Sequence, residues 1–285
     1  MTGSSTRRFE GKVVLITGAA RGQGRSHAVR FAAEGANVVG LDIAGPIATT
    51  HYPASDGEDL KETARLVEEA GGEMIAREGD VRDSAVLRDL VDEALTAFGH
   101  IDVVLPTAGI TSLAPVWELT DEQWDEMVAI NLSGVWRTIR AALPSMVERG
   151  EGGSVVLTGS IAGIIGMPGL GHYAAAKHGV NGLMKSIANE LAPHRIRVNS
   201  VNPTNVATPM ILNDVTYQHF RPDVPGATQE DAIAAFSSYN LLDTPWVEPD
   251  DVSNAVLWLC SDEARWITGV ALPVDTGTTV KWPGR

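Results

Sequence analysis

The chain reads as one α/β domain, a doubly wound parallel sheet of about seven strands with helices on both faces. Three observations predict this. Short apolar, β-branched runs alternate with amphipathic stretches along most of the 285 residues, the pattern of strands joined by crossover helices. The first such run is followed at once by a glycine-rich turn and a helical stretch. No internal repeat or shift of composition marks a second unit, so residues 1–285 are taken as a single domain.

The bulk numbers narrow the function classes. A net charge of −14 argues against a nucleic-acid phosphate backbone as partner. A hydrophobic fraction of 44% supplies a packed core and excludes a disordered chain. No apolar run approaches the roughly 20 residues of a membrane span. The segment Met1–Glu10 lacks the apolar centre of a signal peptide. The single cysteine, Cys260, suits a reducing compartment, and its setting in Ala255-Val-Leu-Trp-Leu-Cys260 points to inert packing. The expectation is a soluble, cytoplasmic protein.

Taken in order, Lys12–Thr17 is the first strand and Gly18-Ala-Ala-Arg-Gly22-Gln-Gly24 the turn, leading into a helix expected over Arg25–Glu34. Glycines without Cβ atoms let a pyrophosphate approach the backbone, and a helix N-terminus offers free N–H groups to it. The second strand, Ala36–Leu41, ends at Asp42, 24 residues beyond Gly18, where a carboxylate can accept hydrogen bonds from adenosine ribose hydroxyls and repel a 2′-phosphate. NAD is therefore favoured over NADP, although Arg21 in the turn could meet such a phosphate. Residues 44–59 are too long for an ordinary connection and read either as a surface insertion or as a flap across the cofactor.

Helices are expected over Leu60–Ala70 and over Ser84–Phe98 with Ser84 as N-cap, and strands over Met74–Val81 and Ile101–Leu105. Thr120-Asp-Glu-Gln123 has the pattern of a capping box for a helix carrying Trp124, Met127, Val128 and a buried Asn131, with Gly134 just after. Ser154–Gly159 and Arg195–Val201 are the fifth and sixth strands, His172–Leu191 the helix between them, Pro249–Leu259 a last helix and Gly269–Asp275 a last strand. Residues 202–247 carry five prolines and show no legible period.

Ser160 and Tyr173-Ala-Ala-Ala-Lys177 are the candidates for chemistry, although a Tyr and a Lys four apart on a helix are also an ordinary solvated or half-buried pair. Positions i and i+4 share a helix face. A phenol with a pKa of about 10 is poorly matched to proton transfer near neutrality, and a fixed cation within roughly 4–6 Å would lower it. A hydroxyl at a strand end, Ser160, could hydrogen-bond a substrate oxygen. His172, beside Tyr173, reads either as a residue that tunes the site or, better, as a solvent-facing loop histidine, and His51, His172 and His219 have no metal-ligand spacing. Ile164, Ile165, Met167, Leu170, Met210, Ile211, Phe220, Phe236 and Trp246 make the stretches around this site apolar, which suits a hydrophobic substrate or a core.

With the glycine turn, Asp42, Asn131, Ser160 and Tyr173-x-x-x-Lys177 in this order, the chain from about Gly11 to Asp275 resembles the short-chain dehydrogenase/reductase family, whose domain is Rossmann-like. The glycine loop to His27, the segment Ile47–Pro53 and Thr268–Asp275 are similar to its mycofactocin-associated, carveol-dehydrogenase-like branch. The resemblance implies reversible NAD-linked hydride transfer between a hydrophobic secondary alcohol, terpenoid or steroid-like, and its ketone. Tyr173 would be the general acid/base, Ser160 would hold the substrate oxygen, Lys177 the nicotinamide ribose, and Asn131 a relay water. Gly18, Arg21, Gly22, Gln23 and Gly24 would line the pyrophosphate, Asp42 and Ile43 the ribose, and Asp80 and Val81 the adenine. Thr107, Ala108, Gly109, Pro203, Val206 and Thr208 would meet the nicotinamide end, and residues 202–247 the substrate. The family's Asn-Ala-Gly is here Thr107-Ala108-Gly109, and its Pro-Gly is Pro203-Thr204. A homotetramer, a tightly held NAD and an external mycofactocin-like redox partner are also implied. The rivals are an NADPH-dependent 3-oxoacyl-thioester reductase and a non-catalytic NAD-binding scaffold.

Overall fold

The computed structural model describes residues 7–282. Residues 1–6, part of the N-terminal segment read above for a leader and of the expected single domain, lie outside the described residues, as do 283–285.

Seven parallel strands form one sheet in the order β3-β2-β1-β4-β5-β6-β7. They are β1 (Val13–Thr17), β2 (Asn37–Asp42), β3 (Met74–Glu78), β4 (Val103–Pro106), β5 (Gly153–Thr158), β6 (Ile196–Pro203) and β7 (Ala271–Val274). Helices α1 (Gly22–Ala33), α2 (Gly57–Glu69) and α9 (Pro249–Cys260) cover one face. Helices α3 (Ser84–Phe98), α5 (Val135–Arg149) and α6 (Gly171–Leu191) cover the other. The two-residue period of β1 feeds both cores: Val13 and Leu15 pack beneath α3 and α5, whereas Val14 and Ile16 pack beneath α1 and α9. Strand order reverses direction between β1 and β4, which opens a crevice beyond their carboxyl ends.

Several boundaries differ from the sequence expectation, each for a physical reason. Helix α1 starts at Gly22, with Arg21 as its uncapped N-cap, so two glycines of the turn lie inside its first turn and leave its N–H groups open. Asp56 and Asp59 form a capping box that starts α2 at Gly57, which shortens the insertion to the residues before it. The cap of α3 is Asp83, whose carboxylate accepts from Ala85 N, and Ser84 is the first helical residue. Gly134 ends nothing. Helix α4 (Asp121–Val128) runs through a π-helical turn, Ala129–Gly134, directly into α5, which also absorbs Pro144. Strand β3 stops at Glu78, short of Asp80 and Val81.

Within 202–247 lie two short helices, α7 (Asp214–Phe220) and α8 (Gln229–Ser238). Phe220, Phe236 and Trp246 pack there into a small separate core with Tyr217, so they are not part of a substrate wall. Ile164 is exposed. Burial pushes the Cys260 thiol up to about 12, as inert packing requires. Among the described residues no helix is long and apolar enough to cross a membrane, and no cluster of metal-ligating side chains occurs.

Candidate active site

The carboxyl ends of the strands frame a cleft with two parts. One is a cavity of about 1010 Å³ at the glycine turn, the other a cavity of about 730 Å³ at Ser160 and Tyr173. Gln23, Thr107, Gly109, Ile110, Thr208 and Met210 line both, so the two are continuous.

The first cavity is built around absent side chains. Gly18 has φ +72°, and a Cβ there would stand 2.8 Å from Ala108 Cα; a Cβ on Gly24 would overlap the Gly18 carbonyl. The turn therefore packs against Ala108-Gly109, and Thr17 Oγ1 accepts from Ala108 N at 3.3 Å. Gln23 Oε1 faces this region buried and without a hydrogen-bond partner. An orphaned acceptor beside open helix N–H groups and an uncluttered glycine backbone is a fit for a bound dinucleotide.

Asp42 is 8% exposed at the rim of this cavity. Its carboxylate accepts from Ala20 N at 2.9 Å, Ala44 N at 3.0 Å and Ser55 Oγ at 2.8 Å. Ile43, Asp80 and Val81 complete the wall. The insertion lies over the cavity and contributes Ile47, Thr50, Tyr52, Ala54 and Ser55 to its lining, the flap geometry of the two readings offered above. Arg21 is used differently from expectation: its guanidinium donates to the Pro53 carbonyl and so holds the flap to the glycine turn. Thr49 N and Oγ1 both donate to Glu126 Oε2 on α4, at 3.2 and 2.6 Å. Arg82 joins Glu126 Oε1, at 2.8 Å, to Asp80 Oδ2, at 2.7 Å.

The second cavity contains Ser160, Tyr173 and Lys177 together. Ser160 begins a short 3₁₀ turn, and its hydroxyl accepts from Ala162 N at 3.1 Å. Tyr173 and Lys177 lie one turn apart on α6, with Lys177 Nζ 5.6 Å from the Tyr173 ring centre and donating to the Thr158 carbonyl at 2.7 Å. The expected lowering of the phenol by Lys177 is not what the structure gives. Burial pushes Tyr173 above its ordinary value, opposed by the Ser160 hydroxyl, and burial brings Lys177 down to about 8. The ammonium is spent on a carbonyl and is itself desolvated.

Asn131 is fully buried in the π turn and outside both cavity linings. Its side-chain oxygen accepts from Ile110 N at 2.8 Å and its amide donates to Ile110 O at 2.7 Å. Thr107 accepts from the Thr158 hydroxyl at 3.3 Å. Pro203 and Val206 line the second cavity and Thr208 both. Thr204 keeps an ordinary backbone with φ outside the left-handed region, so the turn needs no glycine. Met167, Leu170, Met210 and Ile211 form the apolar wall.

Sequence reasoning missed the supports. Asn181, one turn beyond Lys177, donates to Asn202 Oδ1 at 2.9 Å and to Gly163 O at 3.0 Å, and accepts from Ser200 Oγ at 2.7 Å. Asn202 in turn accepts from Ser160 N at 3.3 Å. The i+4 spacing of Asn181 was the available signal. His172, expected to face solvent, is fully buried and bonded to Ser112.

Comparison with known proteins agrees with this geometry. A family model described as enoyl-(acyl carrier protein) reductase matches residues 18–279. The chain is similar to a (−)-trans-carveol dehydrogenase of Rhodococcus erythropolis, 50% identical over 96% of this chain and 99% of that protein. A crystal structure of carveol dehydrogenase from Mycobacterium avium in complex with NAD superposes with TM-score 0.95 at 48% identity, covering 96% of this chain and 99% of that one. A short-chain dehydrogenase from Mycobacterium paratuberculosis bound to NAD gives TM-score 0.89 at 40% identity, covering 96% and 100%. By fold, site and sequence, this chain belongs to the short-chain dehydrogenase/reductase family.

Proposed function

We propose that the chain is an NAD-linked dehydrogenase that interconverts a hydrophobic secondary alcohol, carveol-like terpenoid or steroid-like, and its ketone. The observation that carries this reading is one continuous cleft with Gly18, Gln23 and Asp42 at one end and Ser160, Tyr173 and Lys177 at the other. NAD, when bound, supplies the centre that accepts or returns the hydride.

The chain's own residues do the rest. Gly18, Gly22, Gln23 and Gly24, with the main chain of Arg21, hold the pyrophosphate, Asp42 and Ile43 the ribose, and Asp80 and Val81 the adenine. Thr107, Ala108, Gly109, Pro203, Val206 and Thr208 take the nicotinamide end, and Lys177 its ribose. In reduction, Tyr173, a neutral phenol, gives its proton to the ketone oxygen while Ser160 donates a hydrogen bond to the same oxygen; in oxidation the phenolate form of Tyr173 takes the carbinol hydroxyl proton. Asn131, by gripping Ile110, sets the loop at which the family's relay water would be held. Of residues 202–247, the stretch 203–211 forms the substrate-binding wall, and the remainder packs as a small core behind it.

Asp42 disfavours an NADPH-dependent acyl-thioester reductase, because Arg21, the cation of the first cavity, is committed to the flap. Six of the seven tryptophans are at least 37% exposed, Trp246 being the exception, which suits the homotetramer implied by the family. The flap over the first cavity suits a tightly held NAD re-oxidised in the cytoplasm by an external, mycofactocin-like redox partner.

Purified protein tests the reading. Nicotinamide absorbance that survives gel filtration, appears as reduced cofactor with secondary alcohols and is bleached by a ketone or a dye acceptor supports it. Protein that binds NADH but never exchanges a hydride with any alcohol or ketone returns the scaffold reading.

A further inference from the structure

Two residues that line neither part of the cleft bear directly on it. Ser112 Oγ lies 2.8 Å from His172 Nε2, and both residues are buried. His172 precedes Tyr173 in the first turn of α6. Its other ring nitrogen, Nδ1, is buried with no hydrogen-bond partner. Such an orphan costs folding free energy in either neutral tautomer, so for packing alone an apolar pair at both positions would serve better. Burial holds His172 below its ordinary pKa, so the ring is neutral and the bond to Ser112 is not an ion pair.

The segment that carries Ser112 is gripped almost residue by residue, each time by a different element. Asn131 of the π turn takes both Ile110 N and Ile110 O. Tyr52 of the flap accepts from Thr111 N at 3.3 Å. His172 of α6 takes Ser112, and Gly169 O accepts from Ala114 N at 3.0 Å. Adjacent residues thus tie the flap to the helix that presents Tyr173.

We infer that the Ser112–His172 pair is a positioning joint, through which the seating of the flap at Tyr52 and the aim of the Tyr173 hydroxyl are coupled. The inference rests on Tyr173 as the proton-transferring group. Neither member of the pair lines the cleft. The pair acts by fixing the distance between Thr111, where the flap latches, and the turn that carries the phenol.

Ser112→Ala removes the bond by deleting one atom, and Ser112→Ala combined with His172→Phe removes the bond and both buried polar groups. His172→Gln returns a polar atom at about the reach of Nε2. Expected for the first two is a fall of about threefold to tenfold in kcat, the range of one lost neutral hydrogen bond, with KM for the alcohol unchanged. NADH dissociation, followed by stopped-flow fluorescence, quickens by a similar factor. The nucleotide-free thermal midpoint of the double variant stays at or above that of the parent, and His172→Gln recovers kcat. Parental kcat or a parental dissociation rate in Ser112→Ala overturns the coupling. So does a kcat loss in the double variant that follows a lowered midpoint and that His172→Gln does not recover. Tyr173→Phe run beside them separates the two claims: if it alone loses turnover, the joint fails and the acid/base assignment stands.

Discussion

Ser55, at the end of the flap, donates its hydroxyl to the Asp42 carboxylate at 2.8 Å. The residue that discriminates the adenosine ribose is therefore also the anchor of the segment closing over it. Asp42→Ala is expected to loosen both. NADH affinity falls about 10-fold to 100-fold, the range for hydrogen bonds to a charged group, and the gap between NADH and NADPH narrows. Fluorescence titration with the two nucleotides reads this directly.

At the other end of the flap, Glu126 takes Thr49 and Arg82 on its two oxygens. Glu126→Gln keeps the shape and removes the charge that Arg82 needs. NADH release is expected to accelerate about threefold to tenfold with unaltered kcat per bound cofactor, as one charge-assisted contact is weakened. An unchanged release rate places the flap's hold elsewhere.

Gly24 has no room for a methyl group against the Gly18 carbonyl. Gly24→Ala is expected to destabilise the protein by about 1–3 kcal/mol, as overpacking does, and to abolish NADH binding. Thermal unfolding and nucleotide titration of the same sample check the two effects together.

His27 is fully buried, accepts or donates one bond at Ser253 (2.8 Å), and is pushed by burial down to about 3. Its folded pKa lies below the unfolded value near 6.5, so the unfolded chain binds the extra proton. The resulting loss is absent above pH 6.5 and grows as pH falls towards 3. By pH 5 it amounts to about 2 kcal/mol. His27→Gln is expected to flatten the dependence of thermal midpoint on pH between 6.5 and 5, with the parent showing the steeper fall.

The parts of the fold written in local pattern were legible in the sequence. Apolar runs such as Val13–Thr17 and Gly153–Thr158 are buried on both faces of a parallel sheet, so they stand out without any partner. The Thr120 capping box was read correctly because its two bonds are local. What stayed hidden depends on distant contacts. His172 looked like a loop histidine because its partner Ser112 lies 60 positions away. The passage of α4 into α5 was obscured by Gly134, where a Cβ would stand 2.7 Å from Val81. That glycine answers to close packing, and no turn is made there. At the site, spacing put Tyr173 and Lys177 on one helix face, and the resemblance of the whole ordered motif set, not spacing alone, grouped them with Ser160. The direction of the Tyr173 shift was not readable, because burial depth is a property of the assembled cleft.

The central claim is that Tyr173 moves the substrate proton beside a nicotinamide cofactor held by the same cleft. Tyr173→Phe, assayed for alcohol oxidation and for NADH binding in one preparation, tests it most directly. The account predicts NADH affinity within about twofold of the parent and turnover reduced by at least about 100-fold, the contribution of general acid–base catalysis. Parental turnover with intact NADH binding would contradict it.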